Sequence, residues 1–241
     1  MSYFTTQAQF VLRGYLSPNL ASFKLSKDYQ DDYTSFTSNG YRFRRKFDFG
    51  GGVGVGLNLN QVLLLAEIGF TQKTISSELI ETVTYTTPQG EVLSGQFNIE
   101  QTLQFIPVNI ISTIKILGEE RAVTLTVGPS FNFGLQGNSA GTFETDTQTI
   151  PIASGDITMG NSRFDNYKRL DFGFLLGIGG VIPINSNFQL FADIRTRIGL
   201  SNMYSAERKN YLETNNIIAL GNLKTRGTTF NIGINYTLDF F

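Results

Sequence analysis

The chain has 241 residues, a formal net charge of −1 and 25 glycines against 6 prolines; 41% of its residues are hydrophobic and 13% are aromatic. A near-neutral charge without a basic tract excludes nucleic acid as a partner. The chain has no histidine and no cysteine. It therefore lacks the commonest metal ligands and the commonest neutral-pH acid or base, and we expect neither a cofactor nor enzymatic activity.

Two features of the chain bear on its location. No run of roughly 18 apolar residues is present, so the sequence predicts no transmembrane helix, and a membrane role would have to come from strands. Residues 1–4 lead directly into polar residues without a secretory signal. We therefore expect a mature chain from which a signal peptide has been removed.

Eight segments alternate between apolar and small or polar residues with a period of two, which is typical of strands with one apolar face. The first covers about residues 7–17, and the second, at 47–59, alternates Phe, Val and Leu with glycine. The third (about 61–73) and the fourth (about 100–116) carry apolar residues on both faces. The registers of the first, third and fourth segments therefore stay open.

The last four segments alternate more regularly, at 123–134, 169–179, 188–200 and 230–240. Phe240 is in phase with the apolar face of the last segment, and Phe241 lies one residue outside it. The glycine clusters lie inside strands, whereas a phosphate loop needs glycines between a strand and a helix. These glycines predict small inward positions that make room for long side chains from opposite strands.

The connections between segments alternate in length. Long, polar ones surround Tyr29, Pro88, Gly155 and Asn215, and the others are short. Outer-membrane barrels have short periplasmic turns and long extracellular loops, whereas a soluble sandwich has no reason to place every long loop at one end.

The sequence therefore predicts one all-β domain over residues 1–241. Its fold is an eight-stranded antiparallel up-and-down transmembrane β-barrel in the bacterial outer membrane, with long extracellular loops, short periplasmic turns and both termini periplasmic. A hairpin at 83–97 raises the number to ten strands if it belongs to the wall.

Several stretches together resemble the outer-membrane β-barrel family common in Bacteroidetes, which includes small OmpX-like barrels and relatives of the porin-like T protein of the type IX secretion system. The resemblance spans about residues 47–241, and the stretches that carry it are 49–59, 66–73, 103–108, 127–129, 171–179, 197–202 and 231–241. It implies a fold and a location much more than an activity.

Charged residues on the inward faces are balanced in sign. They are Arg13, Asp48, Glu67, Arg169, Asp171, Asp193, Arg195 and Arg197. An eight-stranded barrel leaves an interior just wide enough for side chains, and a buried charge needs a partner. We interpret these residues as a hydrogen-bonded network that fills the lumen; catalysis by Asp171 and Asp193 as acid and base is the weaker alternative, because no nucleophile or cleft is indicated.

A basic run precedes the apolar face of the second segment. It consists of Arg42, Arg44, Arg45 and Lys46, with Tyr41 and Phe43 between them. Arginine binds phosphate bidentately and aromatic residues favour the membrane interface, so this rim is a candidate contact for lipopolysaccharide. The simpler interpretation is a solvated rim, or one paired with Asp31 and Asp32.

The function that follows is a non-enzymatic outer-membrane barrel, structural or interacting, with loops outside the cell and a filled lumen. Its expected partners are outer-membrane lipid, lipopolysaccharide and an envelope protein. One alternative is an accessory component of an envelope complex such as the type IX secretion system, and another is a soluble, lipocalin-like ligand-binding barrel.

Overall fold

The chain folds as antiparallel strands. The computed structural model describes residues 8–25, 41–79, 83–118, 121–162, 164–207, 210 and 223–238. The strands within them are β1 (Gln9–Leu16), β2 (Asn19–Leu25), β3 (Tyr41–Arg45), β4 (Phe47–Asp48), β5 (Gly50–Leu59), β6 (Val62–Leu79), β7 (Val83–Thr86), β8 (Val92–Leu117), β9 (Ala122–Glu144), β10 (Thr149–Ile157), β11 (Leu170–Pro183), β12 (Phe188–Gly199) and β13 (Leu223–Leu238).

Eight of these strands form a closed wall in the order β1, β5, β6, β8, β9, β11, β12, β13, with β13 pairing back to β1. At this seam Phe10 lies opposite Leu238 and Leu16 lies opposite Ile232. Closure pairs the backbone groups that a sheet edge would leave exposed, which is a requirement for a sheet in hydrocarbon. The predicted eight-stranded antiparallel up-and-down barrel is confirmed.

The hairpin around Pro88 is not part of this ring. β7 pairs with the first residues of β8, with Val83 opposite Gly95 and Thr86 opposite Val92, and these pairs belong to a separate sheet. β8 then continues without a break into the wall. The ten-strand alternative is therefore wrong for the described residues, because the hairpin extends a wall strand outward and adds none.

The short turns all lie at one end of the barrel. Asn60, with a φ of 62°, and Gly118, with a φ of 81°, occupy the turns after β5 and β8; both residue types tolerate this left-handed backbone. Residues 184–187 connect β11 to β12. The first residue of β1, Gln9, pairs with Asn58 beside these turns. The described ends of the chain thus lie at the short-turn end, as predicted.

Several wall strands, among them β6, β8, β9 and β13, are longer than the sequence predicts, and β9 shows the reason. β9 runs to Glu144, where it pairs with Thr149 of β10, and residues 137–144 of β9 also pair with β8. This stretch is mostly polar and lacks apolar alternation. Backbone pairing on both sides holds it, and backbone pairing leaves no signature in the side chains.

The first wall strand is interrupted once. β1 and β2 both pair with β13 and keep the same register, since Leu16 lies opposite Ile232 and Asn19 lies opposite Thr229. Pro18 lies between them and has no N–H to donate, which is why the ladder breaks there. Its carbonyl still accepts a 2.9 Å hydrogen bond from the Phe230 backbone N–H.

The apolar residues on both faces of the third and fourth segments have a physical explanation. Leu65 of β6, Ile111 of β8 and Leu175 of β11 point inward and form a small apolar cluster inside the barrel, against which Leu63 packs. Those strands therefore carry apolar residues on both faces. The terminal phenylalanines, and the loops around Tyr29 and Asn215, lie outside the described residues.

Candidate functional site

The wall has an apolar outer face and a polar inner face. Exposed apolar side chains cover the outside; on the last three wall strands they are Leu170, Phe172, Phe174, Leu176, Ile178, Ile182, Phe188, Leu190, Ile194, Ile198, Phe230, Ile232 and Ile234. The buried set is largely polar and includes Arg13, Glu67, Thr126, Ser130, Asn132, Asp171, Asp193, Arg195, Arg197, Asn231 and Asn235. A soluble barrel would have its apolar face inside, so this arrangement argues against the lipocalin-like alternative.

An exposed apolar face is stable in lipid, and a polar lumen is typical of transmembrane barrels. β5 and β12, with 10 and 12 residues, have roughly the 9 to 11 residues with which a tilted strand crosses the hydrocarbon core. An even number of antiparallel strands is the bacterial outer-membrane form. The chain is an outer-membrane β-barrel.

The first charged cluster in the lumen is centred on Glu67 of β6. Its carboxylate accepts hydrogen bonds from Arg13 Nη1 of β1 at 3.1 Å and from Arg195 Nη1 of β12 at 2.6 Å. Arg195 also binds Asp193 at 2.8 Å, and Asp193 accepts a hydrogen bond from Asn231. Four strands therefore meet in one chain of alternating charge.

Arg13 has two further contacts. Its Nε donates to Asn235 Oδ1 at 2.8 Å, and its guanidinium lies 4.0 Å from the centroid of the Phe191 ring. Phe191 is an inward aromatic residue that the alternation pattern leaves out of the apolar face. A buried guanidinium needs this many partners because its desolvation is costly.

The second charged cluster joins Arg197 of β12 to Asp171 of β11. Arg197 Nη1 lies 2.7 Å from Asp171 Oδ2, and Nη2 donates to the Asp171 carbonyl at 2.9 Å. Hydroxyl groups complete it: Ser201 and Thr225 donate to the carboxylate at 2.8 Å and 2.6 Å, and Arg197 Nε donates to Ser130. This cluster has one ion pair, and hydroxyl groups form most of the other hydrogen bonds of Asp171 and Arg197.

Glycines stand beside these long side chains. A Cβ on Gly54 would lie 3.0 Å from Glu67 Cγ, one on Gly177 would lie 2.8 Å from Arg195 Cγ, and one on Gly173 would lie 2.8 Å from Arg197 Cζ. Gly54 and Gly177 are the direct cross-strand partners of Glu67 and Arg195. The sequence analysis predicted that glycines make room for long side chains from strands across the lumen. In the structure, Gly54 and Gly177 make room for long side chains of the adjacent, hydrogen-bonded strand.

Two predicted inward charges lie outside both clusters. Asp48 is buried, and its carboxylate accepts hydrogen bonds from the backbone N–H and the hydroxyl of Thr74 and from Gln72. Arg169 is exposed, and its assignment to the lumen is wrong. β11 begins one residue later, at Leu170, so the alternation does not extend to Arg169; its carbonyl accepts a hydrogen bond from Gly134 N–H instead.

Sequence reasoning missed several lumen residues, above all Lys73. Lys73 and Glu67 are six residues apart on β6, and the period of two puts them on one face. The same parity places Ser130 with Asn132 on β9, and Thr225 with Asn231 on β13. The signal was therefore present in the sequence; Lys73, the last residue of the third segment, was left out of the inward set although Glu67 of the same segment was included.

At the extracellular end, connecting segments fold back onto the inner face of β8. Leu103 and Phe105 of β8 pack with Ile157, Tyr167 and Met203 in an apolar cluster. The Tyr167 hydroxyl donates a 2.8 Å hydrogen bond to the Gln101 side chain. This cluster covers the lumen side of β8 beyond Asn109.

The basic rim is described in part. β3, which contains Arg42, Arg44 and Arg45, pairs with the outer end of β6 from Ile75 to Leu79; the side chains of 41–45 lie outside the described part of the structure. Lys46 is exposed and forms an ion pair with Glu100 of β8. Within the described part of the chain, the partner of Lys46 is thus a wall residue, and the predicted partners Asp31 and Asp32 lie outside it.

Among the described residues, no three His, Cys, Asp or Glu side chains are grouped so that they could hold a metal ion. In the same residues, no helix is long and apolar enough to cross a membrane.

Comparison with known proteins found likeness of structure only. No protein-family description and no curated protein matches the chain. Solved structures with similar strand arrangements include Neisserial surface protein A (10% identity, TM-score 0.45, covering 95% of this chain and 97% of that chain). The outer membrane protein OprG from Pseudomonas aeruginosa has 11% identity and a TM-score of 0.39, covering 97% of both chains.

The outer membrane protease OmpT from Escherichia coli has 8% identity and a TM-score of 0.39, covering 99% of both chains. Likeness at this level carries no argument about activity or partners. The fold and the location of the present chain are established by its own strand pairing and its apolar outer face.

Proposed function

We propose that the chain is a non-enzymatic outer-membrane barrel whose lumen is filled by side chains and whose work is done at its extracellular surface, by structural or binding contacts. The observation that carries this proposal is the lumen itself. Glu67 is 1% exposed, and it binds two arginines that come from β1 and β12. Side chains that tie several walls together in this way leave no wide aqueous path.

A conductance measurement tests the filled lumen. We expect no stable steps of nanosiemens size when the purified protein is added to planar lipid bilayers, because narrow eight-stranded barrels are filled by side chains. Stable steps of that size, like those of wide porins, would contradict the proposal. A Glu67→Ala variant provides the matched comparison, since it removes the side chain that links Arg13 to Arg195.

The absence of enzymatic activity is part of the same proposal. Each carboxylate in the two clusters is held by at least one arginine, and the Asp171 carboxylate, which accepts from the hydroxyls of Ser201 and Thr225, is also paired with Arg197. Carboxylates held this way are poor general bases. Turnover of peptide, ester or lipid substrates by the pure protein in lipid would overturn it.

A role as an accessory component of an envelope complex, such as the type IX secretion system, stays a hypothesis that rests on the sequence resemblance. Co-purification with the tagged chain after gentle solubilisation of native membranes distinguishes this accessory role from that of an independent surface protein. A stoichiometric secretion component in the eluate would favour the accessory role. A barrel that elutes with lipid alone favours an independent surface protein.

Binding of lipopolysaccharide at the rim remains a proposal as well. It is supported by the position of β3 at the outer end of β6 and by the exposed Lys46. We expect the triple change Arg42→Gln, Arg44→Gln and Arg45→Gln to lower the amount of co-purified lipopolysaccharide. The control is Arg121→Gln, at an exposed position beside a periplasmic turn. If both variants co-purify with equal amounts of lipopolysaccharide, the rim is solvated and does not bind it.

A further inference from the structure

Lys73 is a buried lysine whose amino group has no carboxylate in contact within the described residues. Its side chain lies on the inner face of β6 and is 7% exposed. Among the described residues it has neither an ion pair nor a hydrogen bond, and its ammonium lies 4.8 Å from the centroid of the Phe105 ring. A cation–π contact offsets only part of the cost of burying an ammonium group.

The neighbouring carboxylates are already engaged. Both oxygens of Asp171 accept hydrogen bonds, one from Ser201 and the other from Arg197 and Thr225. The oxygens of Asp48 accept from Thr74 and Gln72. The positive charge of Lys73 is therefore not balanced by a contact within the described part of the barrel.

A cavity of about 70 Å³ lies beside Lys73 within the lumen. Its charged lining residues are Lys73, Arg195 and Arg197, and no carboxylate is among the lining residues. Hydroxyl and amide groups make up most of the remaining polar lining: Tyr15, Ser17, Asn19, Thr71, Asn109, Ser130, Asn132, Thr229 and Asn231. The polar part of the lining thus consists of cations, hydroxyls and amides, and it lies beside apolar groups that include Phe70, Pro107 and Leu175.

Two of these amides are buried with an atom that has no partner. Asn132 Nδ2 is an unused donor, and Asn109 Oδ1 is an unused acceptor. The oxygen and the nitrogen of an amide exchange places by a half turn of the group. Turned in that way, Asn109 would present its donor, and two amides would then offer N–H groups at one cavity beside the Lys73 ammonium.

We propose that this cavity is a binding site for a small inorganic anion. The anion neutralises Lys73, accepts from the Asn132 amide and lies against the guanidinium groups of Arg195 and Arg197. The volume holds an ion of the size of chloride or phosphate and excludes organic anions of sugar size. The site is distinct from the extracellular surface at which the proposed function is located.

Bound anion should stabilise the folded barrel by mass action, since the unfolded chain has no such cavity. The protein is refolded from urea into detergent micelles, so that access through the folded wall is not limiting. Refolding uses sodium chloride, sodium phosphate or sodium gluconate at equal ionic strength, and the urea midpoint of unfolding is measured in each. We expect a higher midpoint in chloride or in phosphate than in gluconate, rising with anion concentration until the site is saturated.

Two variants locate the effect. Lys73→Met keeps the length of the side chain and removes the charge, so its midpoint should be the same in all three salts. Asn132→Asp places a fixed carboxylate in the cavity and should also abolish the response. Lys115→Met is the matched control, because Lys115 is a half-buried lysine of β8 that does not line this cavity; it should respond as the unmodified chain does.

Crystals grown from protein refolded in sodium bromide supply a direct measurement, with an anomalous peak expected between Lys73 and Asn132. Equal midpoints for the unmodified chain in the three salts, together with no bromide peak, would show that the cavity holds water only. A salt response that persists in both Lys73→Met and Asn132→Asp, or that Lys115→Met also loses, would overturn the site by placing the effect elsewhere.

Discussion

The two charged clusters of the lumen are built differently. In the cluster around Glu67, one carboxylate is shared by two arginines from different walls, and Asp193 and Asn231 extend the chain. In the cluster around Asp171, one arginine is paired with one carboxylate, and hydroxyls from Ser201 and Thr225 supply the other hydrogen bonds.

The difference predicts which cluster is more sensitive to the loss of a carboxylate. Loss of the Glu67 carboxylate leaves both Arg13 and Arg195 short of a partner. Loss of the Asp171 carboxylate affects one arginine, Arg197, which retains hydroxyl and carbonyl acceptors. A buried charge without a partner is far more costly than a missing neutral hydrogen bond. The first cluster should therefore be the more sensitive one.

Glu67→Gln tests the first cluster and should have the largest effect. We expect a loss of roughly 3 to 5 kcal/mol in the free energy of unfolding, the usual result of breaking a buried ion pair on one side. Urea unfolding in lipid vesicles measures it. The control is Glu100→Gln, which breaks the exposed pair with Lys46 and should cost about 0 to 1 kcal/mol. Equal losses in both variants would contradict the central place of Glu67.

Asp171→Asn tests the second cluster. Arg197 keeps Ser130 and the residue 171 carbonyl as acceptors, so the expected loss is smaller, about 2 to 3 kcal/mol. The same unfolding experiment measures it beside Glu67→Gln. A loss larger than that of Glu67→Gln would reverse the ranking of the two clusters.

Gly179→Ala tests the space that glycines leave for the first cluster. A Cβ at Gly179 would overlap Asp193 Cβ and the Ala192 carbonyl, so we expect a loss of about 1 to 3 kcal/mol from overpacking. Gly14→Ala is the control, because a Cβ there meets nothing within 4 Å. Comparable midpoints for the two variants would show that the wall adjusts without cost.

Thr225→Val removes a hydroxyl of the second cluster and keeps the shape of the side chain. We expect a loss of about 1 to 2 kcal/mol, because Asp171 retains Arg197 and Ser201 as donors. Thr228→Val on the exposed side of β13 is the comparison and should leave the midpoint nearly unchanged. A change below 0.5 kcal/mol, roughly the usual limit for surface substitutions, would mean that the hydroxyl is dispensable.

Arg169→Gln should have the smallest effect of the series. Arg169 is exposed outside β11, so we expect no change in the unfolding midpoint beyond experimental error. Arg197→Gln, measured in parallel, should lower it clearly. If Arg169→Gln destabilised the barrel as much as Arg197→Gln, the result would contradict the exposed position of Arg169 and support its predicted assignment to the lumen.

The sequence by itself determined the alternation of faces and the end at which the short turns lie, and it predicted eight wall strands while the hairpin at 83–97 left ten open. Phe230, Ile232 and Ile234 face outward while Asn231 and Asn235 face inward, as the period of two requires. Loop lengths then established the topology. These properties are local, because the direction of a side chain in a strand depends on the parity of its position alone.

Only the tertiary structure decided which inward residues meet. Glu67 is 54 residues from Arg13 and 128 from Arg195 along the chain, and their contact depends on closure of the ring and on the register of each ladder. Parity gives a face but not a height along the barrel axis. For that reason the cavity beside Lys73 was not predicted and Arg169 was placed wrongly, although parity already places Lys73 itself inside. A lumen site is made by side chains at one height, which ring closure and strand register fix together.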